Sequence, residues 1–116
     1  MNPTDIAMIC HEANRTLQAV LNEPLSARSS SWENSSEDIK LSAENGVLKA
    51  LKGTTPEELH EEWFVYKTRH GWVHGEFKSD KYKTHPNLVS YDRLPESQKL
   101  KDELFLAIVE ALKGEE

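Results

Sequence analysis

Cysteine is almost absent: Cys10 is the single one in 116 residues. A lone thiol forms no internal disulfide and completes no multi-cysteine zinc site, which fits a reducing compartment; the expected location is cytoplasmic. Long apolar runs are lacking too. No stretch approaches the ~18 apolar residues of a membrane span, and Asp5, with no Lys or Arg before the first short apolar stretch, argues against a secretory leader. Positive charge is in deficit, 14 Lys+Arg against 20 Asp+Glu for a net charge of −6, so duplex nucleic acid is an unsuitable partner. Glycine is sparse, five in all, and none falls in a phosphate-cradling loop, a G-x-G-x-x-G fingerprint or a G-x-S-x-G elbow.

What remains is enough for one domain spanning 1–116, with 37% hydrophobic residues and nine aromatics. Ile6, Ile9, Cys10, Ala13, Leu17, Val20 and Leu21 recur at helical spacing behind Asn2-Pro3, a cap and first-turn pair. A serine-rich loop, 25–34, follows, with Trp32 as its expected anchor to the core. Ser35 is expected to open a second helix with Ile39, Ala43, Val47, Ala50 and Leu51 on one face, Gly46 at a close helix contact, and Gly53 as its stop. Thr55-Pro56-Glu57-Glu58 is a capping box for a third helix bearing Leu59, Trp63 and Tyr66, ended by Gly71. From 72 to 94 the helical period vanishes, and two extended pieces, Trp72–Phe77 and Asn87–Tyr91, are expected in an irregular or hairpin-like segment. Pro95 opens a last helix with a Leu100, Leu104, Ile108, Ala111 and Leu112 stripe, and Glu115-Glu116 is expected to fray. The predicted fold is mainly α: about four helices around one core.

Catalytic patterns fail on inspection. His11-Glu12 and His60-Glu61 begin like zinc-protease helices, but the required second histidine is Arg15 or Phe64. His70 and His74 have ligand spacing, yet Gly71 and Gly75 interrupt it and no carboxylate completes a metal set. Cys10 and His11 point about 100° apart on a helix, so the thiol is expected to be buried and structural. The expectation is a non-enzyme with no metal and no cofactor.

Charge placement is more informative than its sum. Residues 67–93 hold six cations (Lys67, Arg69, Lys78, Lys81, Lys83, Arg93) against three anions, while the rest of the chain is strongly acidic. Trp63, Trp72, Phe77, Tyr82 and Tyr91 are interleaved with those cations, and His70, His74 and His85 add hydrogen-bond donors. Rings that stack and cations that meet an anion suit a small aromatic anion. A purely structural alternative makes the tryptophans core anchors and the Lys-rich tip a solvated turn.

Three blocks, His60-Glu61-Glu62-Trp63, Gly71-Trp72-Val73-His74-Gly75 and Lys83-Thr84-His85-Pro86-Asn87-Leu88-Val89-Ser90-Tyr91-Asp92-Arg93-Leu94, together resemble the RyR domain, the repeat of ryanodine-receptor calcium channels. His74 departs from the tyrosine commoner there. The resemblance covers about Thr55 to Leu112, leaving 1–54 as a helical leader. Within that leader, Ile9–Arg15 and Ser42–Val47 are similar to the leader of small stand-alone RyR-domain proteins of bacteria and their phages. No pore-forming segment is present, so channel activity does not carry over. The resemblance implies a non-enzymatic helical module and suggests a nucleotide-type ligand. The expected ligand-binding residues are Trp63, Trp72, Lys81, Lys83, His85, Tyr91 and Arg93, joined by Arg15 from the leader. The alternative function is a protein-interaction accessory whose basic loop docks an acidic partner.

Overall fold

Local signals in the sequence place each helix start. In the computed structural model, which describes residues 1–114, Asn2 Oδ1 accepts from the Asp5 amide at 2.8 Å and Pro3 occupies the first turn of α1 (Pro3–Val20). Ser36 rather than Ser35 caps α2 (Glu37–Leu51), accepting from the Ile39 amide at 3.2 Å. Both arms of the Thr55/Glu58 capping box are made at the head of α3 (Pro56–Arg69), at 3.2 and 3.1 Å. The Pro95 carbonyl accepts the first intrahelical bonds of α4 (Glu96–Leu112), from Gln98 and Lys99. The Glu115-Glu116 tail lies outside the described residues.

Each helix presents one face inward. α1 packs on α2 and α4, and α2 and α3 each pack on α4, so four helices share one centre built from Ile6, Ala7, Cys10, Val47 and Val109. Burying an aliphatic side chain of this size contributes about 1.5–3 kcal/mol. Burial also pushes the Cys10 thiol up to about 11, leaving it a neutral core group as expected. Gly46 is the close contact the sequence suggested: a Cβ there would sit 3.4 Å from the Phe105 ring. Trp32 packs against this core and its amide donates to Glu12 Oε2 at 3.0 Å, so the serine-rich loop is pinned by α1.

Two apolar stripes are rotated from their expected positions. In α4, Leu100 is 54% exposed and Ala111 is also exposed, while Phe105, Ile108, Val109 and Leu112 face the core. In α1, Val20 is exposed and Gln18 is buried. The loop explains the second case: buried backbone groups need partners, and Gln18 Oε1 accepts from the Ser29 amide at 2.9 Å while its Nε2 donates to the Ala27 carbonyl at 3.4 Å. A valine facing inward there would leave both unpaired.

The segment 72–94 is short-stranded as expected, but its pairing differs. β1 (Val73–His74) pairs in parallel with β2 (Thr84–His85), in register Val73 to Thr84, and Ser79 bridges Thr84 from the other side. Asn87–Tyr91 is not the partner strand. Pro86 has no N–H to extend a ladder; Leu88 instead buries its side chain, the Val89 carbonyl meets His60 Nε2 at 2.7 Å, and Tyr91–Arg93 forms a 3-10 turn. Gly75 sits where β1 leaves the pair, and a Cβ at that position would lie 2.6 Å from Thr84 Cβ. Gly75→Ala is expected to cost about 1–3 kcal/mol, as overpacking does. Urea denaturation checks this, and a loss below ~0.5 kcal/mol would show that the strand pair yields without strain.

Candidate functional site

A cleft of about 630 Å³ opens between the helices and the β segment, a volume within the range of small-molecule sites. α1 contributes Asn14 and Gln18, α3 contributes Trp63 and Lys67, and α4 contributes Lys101 and Asp102, while Trp72, Lys78 and His85 come from the irregular segment. The reason α3 and the segment meet is local. Gly71, at φ +87°, ends α3 in the left-handed region, and the Trp72 amide then returns to the Lys67 carbonyl at 3.0 Å. The Trp72 ring is thereby folded back over the last turn of α3, and Lys67 Nζ rests 4.5 Å from its centroid.

An aromatic wall runs on from there. The His85 ring meets Trp63 edge-on at 5.0 Å and Trp72 at 6.4 Å, and Trp63 stacks on His60 at 5.5 Å. The Asn87 amide donates to His85 Nδ1 at 3.1 Å, which requires that nitrogen to be unprotonated. Burial, reinforced by the charges of Lys78, Lys67 and Lys101, depresses the His85 pKa to about 3. On α4, burial raises the Asp102 carboxyl to about 7 against the partial counter-pull of Lys101. Lys101 itself pairs with Glu23 at 2.6 Å. The cleft therefore holds a neutral imidazole at neutral pH and a carboxyl that titrates near it, among lysines and the carboxylates Glu23, Glu62 and Asp80.

Three buried polar atoms have no hydrogen-bond partner among the described residues: Asn14 Oδ1, Trp72 Nε1 and Asp102 Oδ2. All three residues line this cleft. Buried polar groups in folded proteins are nearly always paired, so three exceptions around one cavity mark it as a place where a ligand or solvent completes the bonding.

Of the eight residues expected to bind a ligand, Trp63, Trp72 and His85 lie together in this cleft. The others are dispersed. Lys81 is exposed, its ammonium 5.2 Å above Tyr82. Lys83, itself at φ +54°, donates from Nζ to the His70 carbonyl at 2.9 Å and so satisfies the C-terminal end of α3. Tyr91 packs edge-on against His60 at 6.1 Å under the Lys99 ammonium, and Arg93 is exposed on the 3-10 turn. Arg15 pairs with Glu12 at 2.7 Å beside a separate recess of about 220 Å³ that it shares with Arg28. Conversely, Lys67, Lys101, Asp102 and Asn14 were not singled out from sequence as site residues. Lys67 had a usable signal: it lies four residues after Trp63, one helical turn along the same face. Among the described residues no three His, Cys, Asp or Glu side chains converge as a metal site would require.

Four helices holding a small parallel β pair define a helical module whose cleft is walled by aromatic rings and lined by charged side chains of both signs. The RyR domain family matches residues 36–113, two thirds of the chain, and the chain belongs to that family. The match begins at Ser36, so α2, placed with the leader on sequence grounds, lies inside the matched stretch.

Proposed function

We propose that this chain is a non-enzymatic binding module that takes a small nucleotide-type anion in the central cleft. The observation that carries the reading is the juxtaposition of a ring wall, Trp63, Trp72 and His85, with a buried Lys67 ammonium. Stacking rewards a base, and a desolvated cation rewards a phosphate-bearing partner. No catalytic role is assigned to any residue. The run Ile9–Arg15 supports placing the chain among the small stand-alone bacterial or phage type, and the lone buried Cys10 is compatible with a cytoplasmic setting.

A thermal-shift series with ATP, ADP, ADP-ribose and cyclic nucleotides tests the reading. A ligand at ~100 times its Kd adds about 2.7 kcal/mol, and 1 kcal/mol corresponds to about 4–8 °C in a domain near this size. The expected result is a shift of about 10 °C or more for at least one compound, with quenching of tryptophan fluorescence. No shift and no quenching at millimolar ligand would reject it.

The second reading, docking of an acidic partner, is favoured by Phe77 and Tyr82, both largely exposed on the segment, with the Lys81 ammonium over the Tyr82 ring. Under that reading nucleotides leave the melting temperature unchanged. Reversing the charges of Lys81 and Lys83 then abolishes binding to an acidic peptide.

A further inference from the structure

Lys67 is 5% exposed and forms neither an ion pair nor a side-chain hydrogen bond with the described residues. An ammonium in that state is unfavourable in the empty chain, because the cation–π contact with Trp72 replaces only part of its lost hydration. Trp72 is equally buried, at 5% exposed, and its indole N–H has no acceptor among the described residues. Two buried donors, one of them charged, thus meet on one wall of the cleft with no hydrogen-bond acceptor among the described residues. Lys78 lines the same cavity, as does Asp80; Asp38 and Asp80 attract the Lys67 ammonium through space without forming an ion pair with it, and Glu23, which neutralises Lys101, pairs with neither Lys67 nor Lys78.

A carboxylate ligand offers two acceptor oxygens and one charge; a phosphoryl group offers three oxygens and up to two charges, matching two lysines and an indole N–H. The acceptors left over, Asn14 Oδ1 and Asp102 Oδ2, require hydroxyl or amine donors that a bare ionised phosphate lacks. We infer that Lys67, Lys78 and the Trp72 indole N–H form a phosphoryl subsite, and that its ligand is a phosphate ester carrying hydroxyl or amine donors. This rests on the reading of the cleft as a ligand site and moves the anion contact from the exposed loop lysines to a buried one.

Inorganic pyrophosphate serves as the probe, with Lys67→Met as the main variant because methionine keeps the length of the stem and removes the charge. Two results are expected together. Lys67→Met melts about 4 °C or more above the wild type when empty, since a desolvated charge without an ion pair is gone. Its affinity for pyrophosphate falls about tenfold or more, as loss of a charged hydrogen bond requires. Lys81→Met, on the exposed tip, keeps the wild-type response. Should Lys67→Met fail to fold, Trp72→Phe carries the test: it retains a ring and deletes the N–H, and it should weaken pyrophosphate binding several-fold.

The subsite is overturned if pyrophosphate does not stabilise the wild type, or if the shift survives Lys67→Met or is lost in Lys81→Met. An ADP response that is insensitive to Lys67→Met also overturns it while leaving the binding module intact. A Lys67-dependent response to pyrophosphate with no response to any nucleotide keeps the subsite and rejects the nucleotide-type ligand.

Discussion

Trp72→Ala should lose about 3–5 kcal/mol of stability, the range for truncating a large aromatic in a packed interior. A domain of this size has about 5–15 kcal/mol in all, so the variant will stand close to unfolding at ordinary temperature. Two contacts depend on the Trp72 ring, which covers the Lys67 ammonium and packs against His85, whereas the amide that closes the turn after α3 is retained by alanine. Trp63 differs. It is half-buried on the cleft wall, one face against His60 and its edge region against His85, so Trp63→Ala should cost clearly less in stability and more in ligand affinity. The sequence alone treats the two tryptophans alike, as ligand-binding rings or as core anchors; burial separates them. Urea denaturation of both variants decides. A loss below ~1 kcal/mol for Trp72→Ala would mean that the segment 72–94 is held by something other than its ring.

Helix starts were legible because capping is local: Asn2, Thr55 and Glu58 act on amides three residues away, and no tertiary contact is needed to read them. Helix faces were less so. Leu100 and Leu104 fit a stripe as well as Phe105 and Val109 do on spacing alone, and the choice is made by where Val47 and Ile6 lie across the core. Gln18 illustrates the same point from the polar side, being buried for the sake of a loop eleven residues away. The cleft follows the same rule. Its rings stood out because tryptophan is rare and family-patterned, whereas Lys67, Asn14 and Asp102 are common residue types. Their meaning arises when three helices bring them to one cavity without partners. The loop lysines were conspicuous in sequence through clustering, a property that exposed turns share with sites.

Asp102 and His85 should give the chain a pH dependence that is nearly invisible until one of them is removed. Burial raises the Asp102 carboxyl from 3.8 to about 7, so between those values the folded chain holds a proton that the unfolded chain has released. Stability from this group is fully present below pH 3.8 and lost as pH rises through 7. Burial and nearby lysine charge lower the His85 pKa from 6.5 to about 3, so there the unfolded chain holds the extra proton. Stability from His85 is present above pH 6.5 and lost as pH falls toward 3. The two windows overlap with opposite slopes, each of about 1.4 kcal/mol per pH unit, so their sum is flat between about pH 4 and 6.5. Asp102→Asn removes one slope. Relative to the wild type it should gain stability progressively above pH 4, reaching at most about 4 kcal/mol at pH 8, and its own stability should rise with pH. His85→Gln should do the reverse, gaining on the wild type as pH falls below 6.5. Urea midpoints at pH 4.5, 6 and 8 for the three proteins provide the measurement, each variant being referred to the wild type at the same pH so that other titrating groups cancel. Parallel curves would show that water reaches Asp102 and His85 freely in the folded chain, and the cleft would then lack the dry interior on which the proposed preference for an anion depends.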